Sequence, residues 1–129
     1  MRILILDDDL DRHATFKRKL IGAIIHSVEE SSHCIEKIKK EDPFDLILLD
    51  HDLGGQVYVP SGPGTGFEVA EWLRDHPEKM PKLVILHTCN EHGAGRMLEV
   101  LPDAYYAPAL FMANYLDINY LKNIVDKIP

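Results

Sequence analysis

Apolar residues fall into two rhythms along this chain. Unbroken runs at Ile3-Leu4-Ile5-Leu6, Leu46-Ile47-Leu48-Leu49 and Leu83-Val84-Ile85-Leu86 have the length and composition of strands buried on both faces. Between them, apolar positions recur at helical spacing. Phe16, Leu20, Ile21 and Ile24 mark a helix from about Leu10 to Ala23, and Cys34, Ile35 and Ile38 mark one running to Lys40, with Ser31 and Ser32 as its caps and Asp42-Pro43 as its stop. Val69, Ala70 and Leu73 define a helix from Gly66 to about His76, which Pro77 ends. Asn90 is placed to cap a helix carrying Met97, Leu98 and Leu101, and a last helix from about Asp117 to Lys127 buries Leu121, Ile124, Val125 and Ile128. Weaker strand signals lie at Ile24 to Val28 and near Ala104 to Ala107, before a connecting segment that starts at Pro108.

Strands alternating with helices imply a parallel sheet with crossover connections. The ends of the strong strands then lie side by side, and each of those ends runs into polar residues. The first run ends in Asp7-Asp8-Asp9, the third strand in Asp50-His51-Asp52, and the fourth in His87-Thr88. Open α/β sheets bind ligands at the carboxyl ends of their strands, so acid and imidazole are concentrated where a site is expected.

Composition narrows the classes. At 129 residues, with 46% hydrophobic and 27% charged, the chain reads as one globular domain, 1–129. A net charge of −7 disfavours a duplex nucleic-acid binder, which would cluster Lys and Arg against phosphates. Arg12, Lys17, Arg18 and Lys19, and likewise Lys37, Lys39 and Lys40, read as solvated helix faces. No apolar run approaches membrane-spanning length and no leader precedes the first strand. Cys34 and Cys89, without metal-site spacing, read as reduced thiols in or near the core of a soluble cytoplasmic protein.

The candidate chemistry starts from the carboxylates. Asp7, Asp8 and Asp50 at adjacent strand ends repel one another unless a cation or proton neutralises them, and Mg²⁺ or Mn²⁺ suits carboxylate oxygens. His87 ends the strand beside that of Asp50 and reads as a general acid or base; His13, a turn and a half past Asp8, reaches toward the same edge. Strand alternation puts Asp50 and Asp52 on one side and His51 on the other, where His51 either joins the chemistry or donates to a backbone carbonyl. Gly64-Thr65-Gly66 and the Asn90 to Gly93 segment each enter a helix, whose free amides can hold a phosphate. The segment from His51 to Thr65 contains four of the chain's eight glycines and two of its eight prolines. A loop of that length is expected to close over the site as a lid.

Asp7 and Asp8 after the first strand, Asp50 after the third and Thr88 after the fourth together resemble the receiver domain of bacterial response regulators, over nearly the whole chain. The resemblance implies a flavodoxin-like three-layer α/β sandwich with five parallel strands in the order 2-1-3-4-5. It further implies Mg²⁺ on the acidic pair, a phosphoryl group on Asp50, and Thr88 as the residue that senses it. Ala107-Pro108 stands where receivers have Lys-Pro, and His87 where they have an apolar residue. The chain is more similar to the divergent group described as cyclic-phosphate-processing receivers. The similarity lies in Leu6-Asp7-Asp8-Asp9, Arg12-His13, Leu49-Asp50-His51-Asp52-Leu53-Gly54-Gly55, Gly64-Thr65-Gly66, and His87-Thr88-Cys89-Asn90 with Gly93-Ala94 and Met97.

The expected activity is a metal-assisted phosphoesterase acting on a cyclic or terminal phosphate of a nucleotide or RNA end. Its metal ligands would be Asp7, Asp8 and Asp50, and His87 would protonate the leaving oxygen. His51, His13 and Asp52 would assist, and Thr88, Asn90, Gly64, Thr65 and Gly66 would hold phosphate. The competing expectations are a signalling receiver phosphorylated on Asp50 and a noncatalytic module that binds a protein partner.

Overall fold

The computed structural model describes residues 1–41, 43–108 and 116–129. Its sheet is built from β1 (Arg2–Leu6), β2 (Ile24–Val28), β3 (Leu46–Leu49), β4 (Leu83–Leu86) and β5 (Tyr105–Tyr106), all parallel, in the order β2-β1-β3-β4-β5. The helices are α1 (Leu10–Lys19), α2 (Ser31–Lys40), α3 (Gly66–Asp75), α4 (Glu91–Val100) and α5 (Ile118–Asp126), with a 3₁₀ turn at Pro77–Lys79. This is the flavodoxin-like sandwich in receiver order.

Alternation along the strands sorts the core into two layers. Leu4, Leu6, Ile47, Leu49, Val84 and Leu86 pack with Cys34 and Ile38 of α2, Val69, Ala70 and Leu73 of α3, and Met97 of α4. Ile3, Ile5, Leu46, Leu48, Leu83 and Ile85 face Phe16 and Leu20 of the α1 region and Leu121 and Val125 of α5. Every residue of β3 is buried, as the unbroken run requires of a central strand. Each such side chain contributes about 1.5–3 kcal/mol of hydrophobic stabilisation.

The structure corrects several local expectations. Helix α1 stops at Lys19 with Leu20 as its C-cap, short of Ala23; Gly22 then turns with a φ of +98°, leaving Ile21 77% and Ile24 57% exposed. Neither isoleucine belongs to the helix face, because the chain must reverse early to enter edge strand β2. The N-cap of α2 is Glu30, and Ser31 does not cap but donates its hydroxyl to Glu68 Oε2 at 2.5 Å. Cys34 is buried, its thiol pushed up to about 12 by burial, whereas Cys89 is exposed and outside the core. Asp42 of the expected stop signal, and the segment after Pro108 up to 115, lie outside the described residues. No helix among the described residues is long and apolar enough to cross a membrane.

Candidate active site

Register places three functional groups at one level. Leu6 of β1 pairs with Leu49 of β3, and Leu49 with Leu86 of β4, so the next residue of each strand, Asp7, Asp50 and His87, leaves the sheet abreast of the others. The ladder continues through them: Asp7 N–H donates to Val28 O, Asp50 N–H to Leu6 O and His87 N–H to Leu49 O, at 3.1, 3.0 and 2.9 Å. Period-two alternation then turns all three side chains to the α1 side of the sheet, the side of Ile5, Leu48 and Ile85. One ligand atom from each falls within 4.8 Å of the others. All three residues are buried, His87 with its ring edge-on to Phe16 at 5.3 Å between centroids.

Arg12 covers this cluster. Its Nε donates to Asp7 Oδ2 and its Nη2 to Asp7 Oδ1, both at 2.8 Å, while Nη2 also reaches Asp50 Oδ2 at 3.3 Å. His87 Nε2 lies 2.9 Å from Asp7 Oδ2. Burial works to raise the Asp7 carboxyl, but the bonds from His87 and Arg12 outweigh it and hold the group well below the ordinary carboxylate range. For Asp50 burial prevails, reinforced by Asp7 and opposed by His87 and Arg12, and the carboxyl is pushed up to about 6. Arg12 thus departs from the solvated face that its basic neighbours suggest. Asp9, the N-cap of α1, accepts the Asp11 and Arg12 amides and starts the helix so that position 12 leans over the strand ends. The sequence signal for this is the spacing, three residues after a capping acid and five after a strand-end acid.

Above the cluster is a cleft of about 410 Å³, lined by Asp8, Asp9, Asp50 and Asp52, with Arg12, His87, Thr88, Cys89 and the loop residues Gly55, Gln56 and Val57. Asp7 does not line it, lying beneath Arg12 with no exposed surface. Asp8 stands apart from the three-group cluster: its Oδ2 accepts the Gly55 amide at 2.6 Å and its Oδ1 sits 3.7 Å from Arg12. The three groups close enough together to share one cation are Asp7, Asp50 and His87, and Asp8 is not among them. Thr88 Oγ1 accepts the Asn90 amide at 3.1 Å, and the residue lines the cleft.

His51, one residue past Asp50, points to the other face. Its ring slides under α4 at Gly93, where a Cβ would come within 2.5 Å of it. Its Nδ1 lies 2.7 Å from Asp52 Oδ1 and its Nε2 2.8 Å from Ser61 Oγ, so side chains and not a backbone carbonyl satisfy it. The chain bends after His51, and Asp52 both meets His51 and lines the cleft beside Asp50. Asn90 caps α4 by accepting the Gly93 amide at 2.9 Å and donates its Nδ2 to Asp52 Oδ1 at 3.0 Å and Val59 O at 3.3 Å.

Two sequence candidates stand away from the cleft. His13 is buried with Nε2 on the carbonyl of Asp7 at 2.7 Å, fastening α1 to the end of β1. The Gly64-Thr65-Gly66 amides are engaged by the protein: Gly64 N–H donates to Glu68 Oε2 and Gly66 N–H to His51 O, while Thr65 Oγ1 bonds Gly62. Gly64 borders a hollow shared with Asp8, Glu29 and Glu30, an acidic setting that repels phosphate. Gly66 is required by close approach, since a Cβ there would lie 1.8 Å from the Asp50 carbonyl oxygen.

Solved structures of similar shape include receivers. A CheY-like receiver domain protein of Methanospirillum hungatei superposes with a TM-score of 0.73 at 23% identity, covering 98% of this chain and 94% of that one. A response regulator of Thermotoga maritima, solved in complex with Mg(2+)-BeF, gives 0.68 at 23% identity over 99% and 98% of the two chains. The signal receiver domain of a LuxO repressor protein from Vibrio parahaemolyticus gives 0.73 at 18% identity over 98% and 91%. No curated protein matches the sequence. The model of the cyclic-phosphate processing receiver domain matches residues 2–103, the span that carries β1 through α4 and every group of the cleft, and the chain belongs to that family.

Proposed function

We propose that the cleft is a metal-dependent phosphoesterase site acting on a cyclic or terminal phosphate of a nucleotide or RNA end. The observation that carries this reading is an imbalance of charge. Four carboxylates line the cleft against one guanidinium, and two acids and an imidazole converge within 4.8 Å below it. An anionic substrate is repelled by such a cleft until a cation enters. Two carboxylates and one imidazole fit a divalent ion of the magnesium or manganese type, with the nitrogen favouring manganese. When bound there, such an ion supplies Lewis-acid polarisation of a phosphoryl oxygen.

The chain's own groups supply the rest. Asp7, Asp50 and His87 hold the cation, which removes His87 from the role of proton donor. Arg12, drawn off Asp7 when the acids are otherwise neutralised, is the cation left to face phosphate oxygens, in place of the lysine absent at Ala107. The Thr88 hydroxyl donates to a phosphate oxygen, and the loop at Gln56 and Val57 narrows the mouth against water.

A second reading, a switch phosphorylated on Asp50, is favoured by Arg12 itself, whose Nη2 at 3.3 Å gives a phosphoaspartate a cation partner. One experiment separates the two. The protein is incubated with 2′,3′-cyclic nucleotides and, in parallel, with acetyl phosphate, each with Mn²⁺ or with chelator. Manganese-dependent opening of the cyclic phosphate is the expected result; stable phosphorylation of Asp50 without any hydrolysis establishes the switch.

A further inference from the structure

Past β3, His51 turns to the face of the sheet opposite the carboxylate cluster and joins a second arrangement of reactive groups, whose acid, Asp52, also lines the cleft described above. Ser61 Oγ lies 2.8 Å from His51 Nε2, and His51 Nδ1 lies 2.7 Å from Asp52 Oδ1. Nucleophile, base and orienting acid within hydrogen-bond reach in that order define an activated hydroxyl, whatever fold carries them. We propose that Ser61 is a nucleophilic serine, with His51 as its base and Asp52 as the positioning acid, acting on a small ester that carries a negative charge.

Each member is held for the role. Asp52 is fixed by other donors besides the imidazole: Asn90 Nδ2 at 3.0 Å on Oδ1 and the Tyr58 amide at 2.6 Å on Oδ2. An anchored carboxylate on Nδ1 keeps the proton on that nitrogen and leaves the Nε2 lone pair for the serine hydroxyl. The His51 ring is fully buried against Gly93, and Ser61 lies between its Nε2 and the cavity beyond. Tyr58, the residue that clamps Asp52, adopts a φ of +54°, a left-handed backbone unusual for a side chain of that size. Strain of this kind gathers at functional sites.

Ser61 opens on a cavity of about 430 Å³, within the range of small-molecule sites, bounded by Tyr58, Val59, Pro60, Asn90, His92 and Arg96. None of its lining residues lines the metal cleft. The Arg96 guanidinium selects for an anionic group on the substrate. In the reaction, Ser61 Oγ bonds to the carbonyl carbon or phosphorus of the ester, and its proton passes to His51 Nε2. The departing alkoxide takes that proton and leaves as the alcohol; water then cleaves the Ser61 ester and regenerates the hydroxyl.

The test uses a fluorophosphonate on the full chain in chelator, so that failure of the metal reading does not affect it. Attack by Ser61 forms an Oγ–P bond, breaks P–F, releases fluoride and leaves the proton on His51. One adduct per chain is expected, on the peptide containing Ser61, absent from Ser61→Ala and from urea-unfolded protein. In Asp52→Asn the labelling rate is expected to fall at least about a hundredfold. Absence of an adduct at Ser61, or an equal rate in Asp52→Asn, overturns the proposal. Nitrogen NMR of the unmodified protein gives a check independent of any variant: the His51 proton is expected on Nδ1, and its finding on Nε2 also overturns the proposal.

Discussion

Arg12 meets Asp7 side-on, its Nε and Nη2 each 2.8 Å from one carboxylate oxygen, and in doing so it shuts the deepest acid of the cleft away from solvent. Under the proposed function the guanidinium and a divalent ion would compete for the same oxygens. Arg12→Gln is therefore expected to destabilise the metal-free protein by roughly 1–3 kcal/mol, since a buried carboxylate loses its main partner. The same change is expected to tighten Mn²⁺ binding about tenfold or more, by removing the competitor. Titration calorimetry beside thermal unfolding in chelator reads both; weaker Mn²⁺ binding in the variant refutes the competition.

The two central acids respond oppositely to pH. Asp50 sits at about 6 against an ordinary 3.8, so the folded protein holds that proton more tightly than the unfolded chain. Its contribution to stability is fully present below about 3.8 and lost as pH rises through about 6. Asp7, held low, contributes above its ordinary value and loses that contribution on acidification. Metal-free stability is expected to fall from about pH 4 to 6.5, and Asp50→Asn to flatten the fall and add roughly 1–3 kcal/mol at the upper end. Added Mn²⁺ should then stabilise the wild type and leave Asp50→Asn unmoved. A pH slope unchanged in the variant would assign it to another group.

His87 reads from sequence as a proton donor, and under the proposed function it is a metal ligand. His87→Ala is expected to weaken Mn²⁺ binding by about tenfold or more, an effect of the size that loss of a metal ligand or its support produces. It also removes the ring packed on Phe16. Retained Mn²⁺ affinity with a lost rate would restore the proton-donor role.

Gly93→Ala drives a methyl into the His51 ring, with contacts of 2.5–2.7 Å to its atoms. Overpacking of this kind costs about 1–3 kcal/mol. Chemical denaturation is the direct measurement, and amide exchange in 58–62 should rise with it, because His51 holds Ser61. Asn90→Ala is expected to free the same loop while costing about 1 kcal/mol for the lost cap.

The sheet is legible in the sequence because its strands are unbroken apolar runs bounded by turn residues, and burial on two faces leaves few alternatives for Leu46 to Leu49. Its register carries the core of the site with it: once Leu6, Leu49 and Leu86 pair, Asp7, Asp50 and His87 stand abreast. The features that sequence does not disclose are long-range. Arg12 reads with its basic neighbours because nothing local says that a cap at Asp9 aims it at Asp50, a residue 38 positions away. Ser61 reads as loop filler because its partner His51 meets it only after the chain has turned back. Asp8 shows the converse, its carboxylate meeting the Gly55 amide from across the cleft. The Gly-Thr-Gly turn resembles a phosphate cradle only while the acceptors of its amides are unknown.

The amide of Gly66 donates to the carbonyl of His51 at 2.9 Å, so the segment between them leaves and rejoins the framework at a single point. Such a tied loop behaves like an interchangeable cassette. The stretch between Gly54 and Pro60 bonds Asp8, Asp52 and Asn90 through Gly55, Tyr58 and Val59, and leaves Asp7, Asp50 and His87 to the strand ends. Gly66 is the residue that cannot vary, since any side chain there would push on the backbone of Asp50.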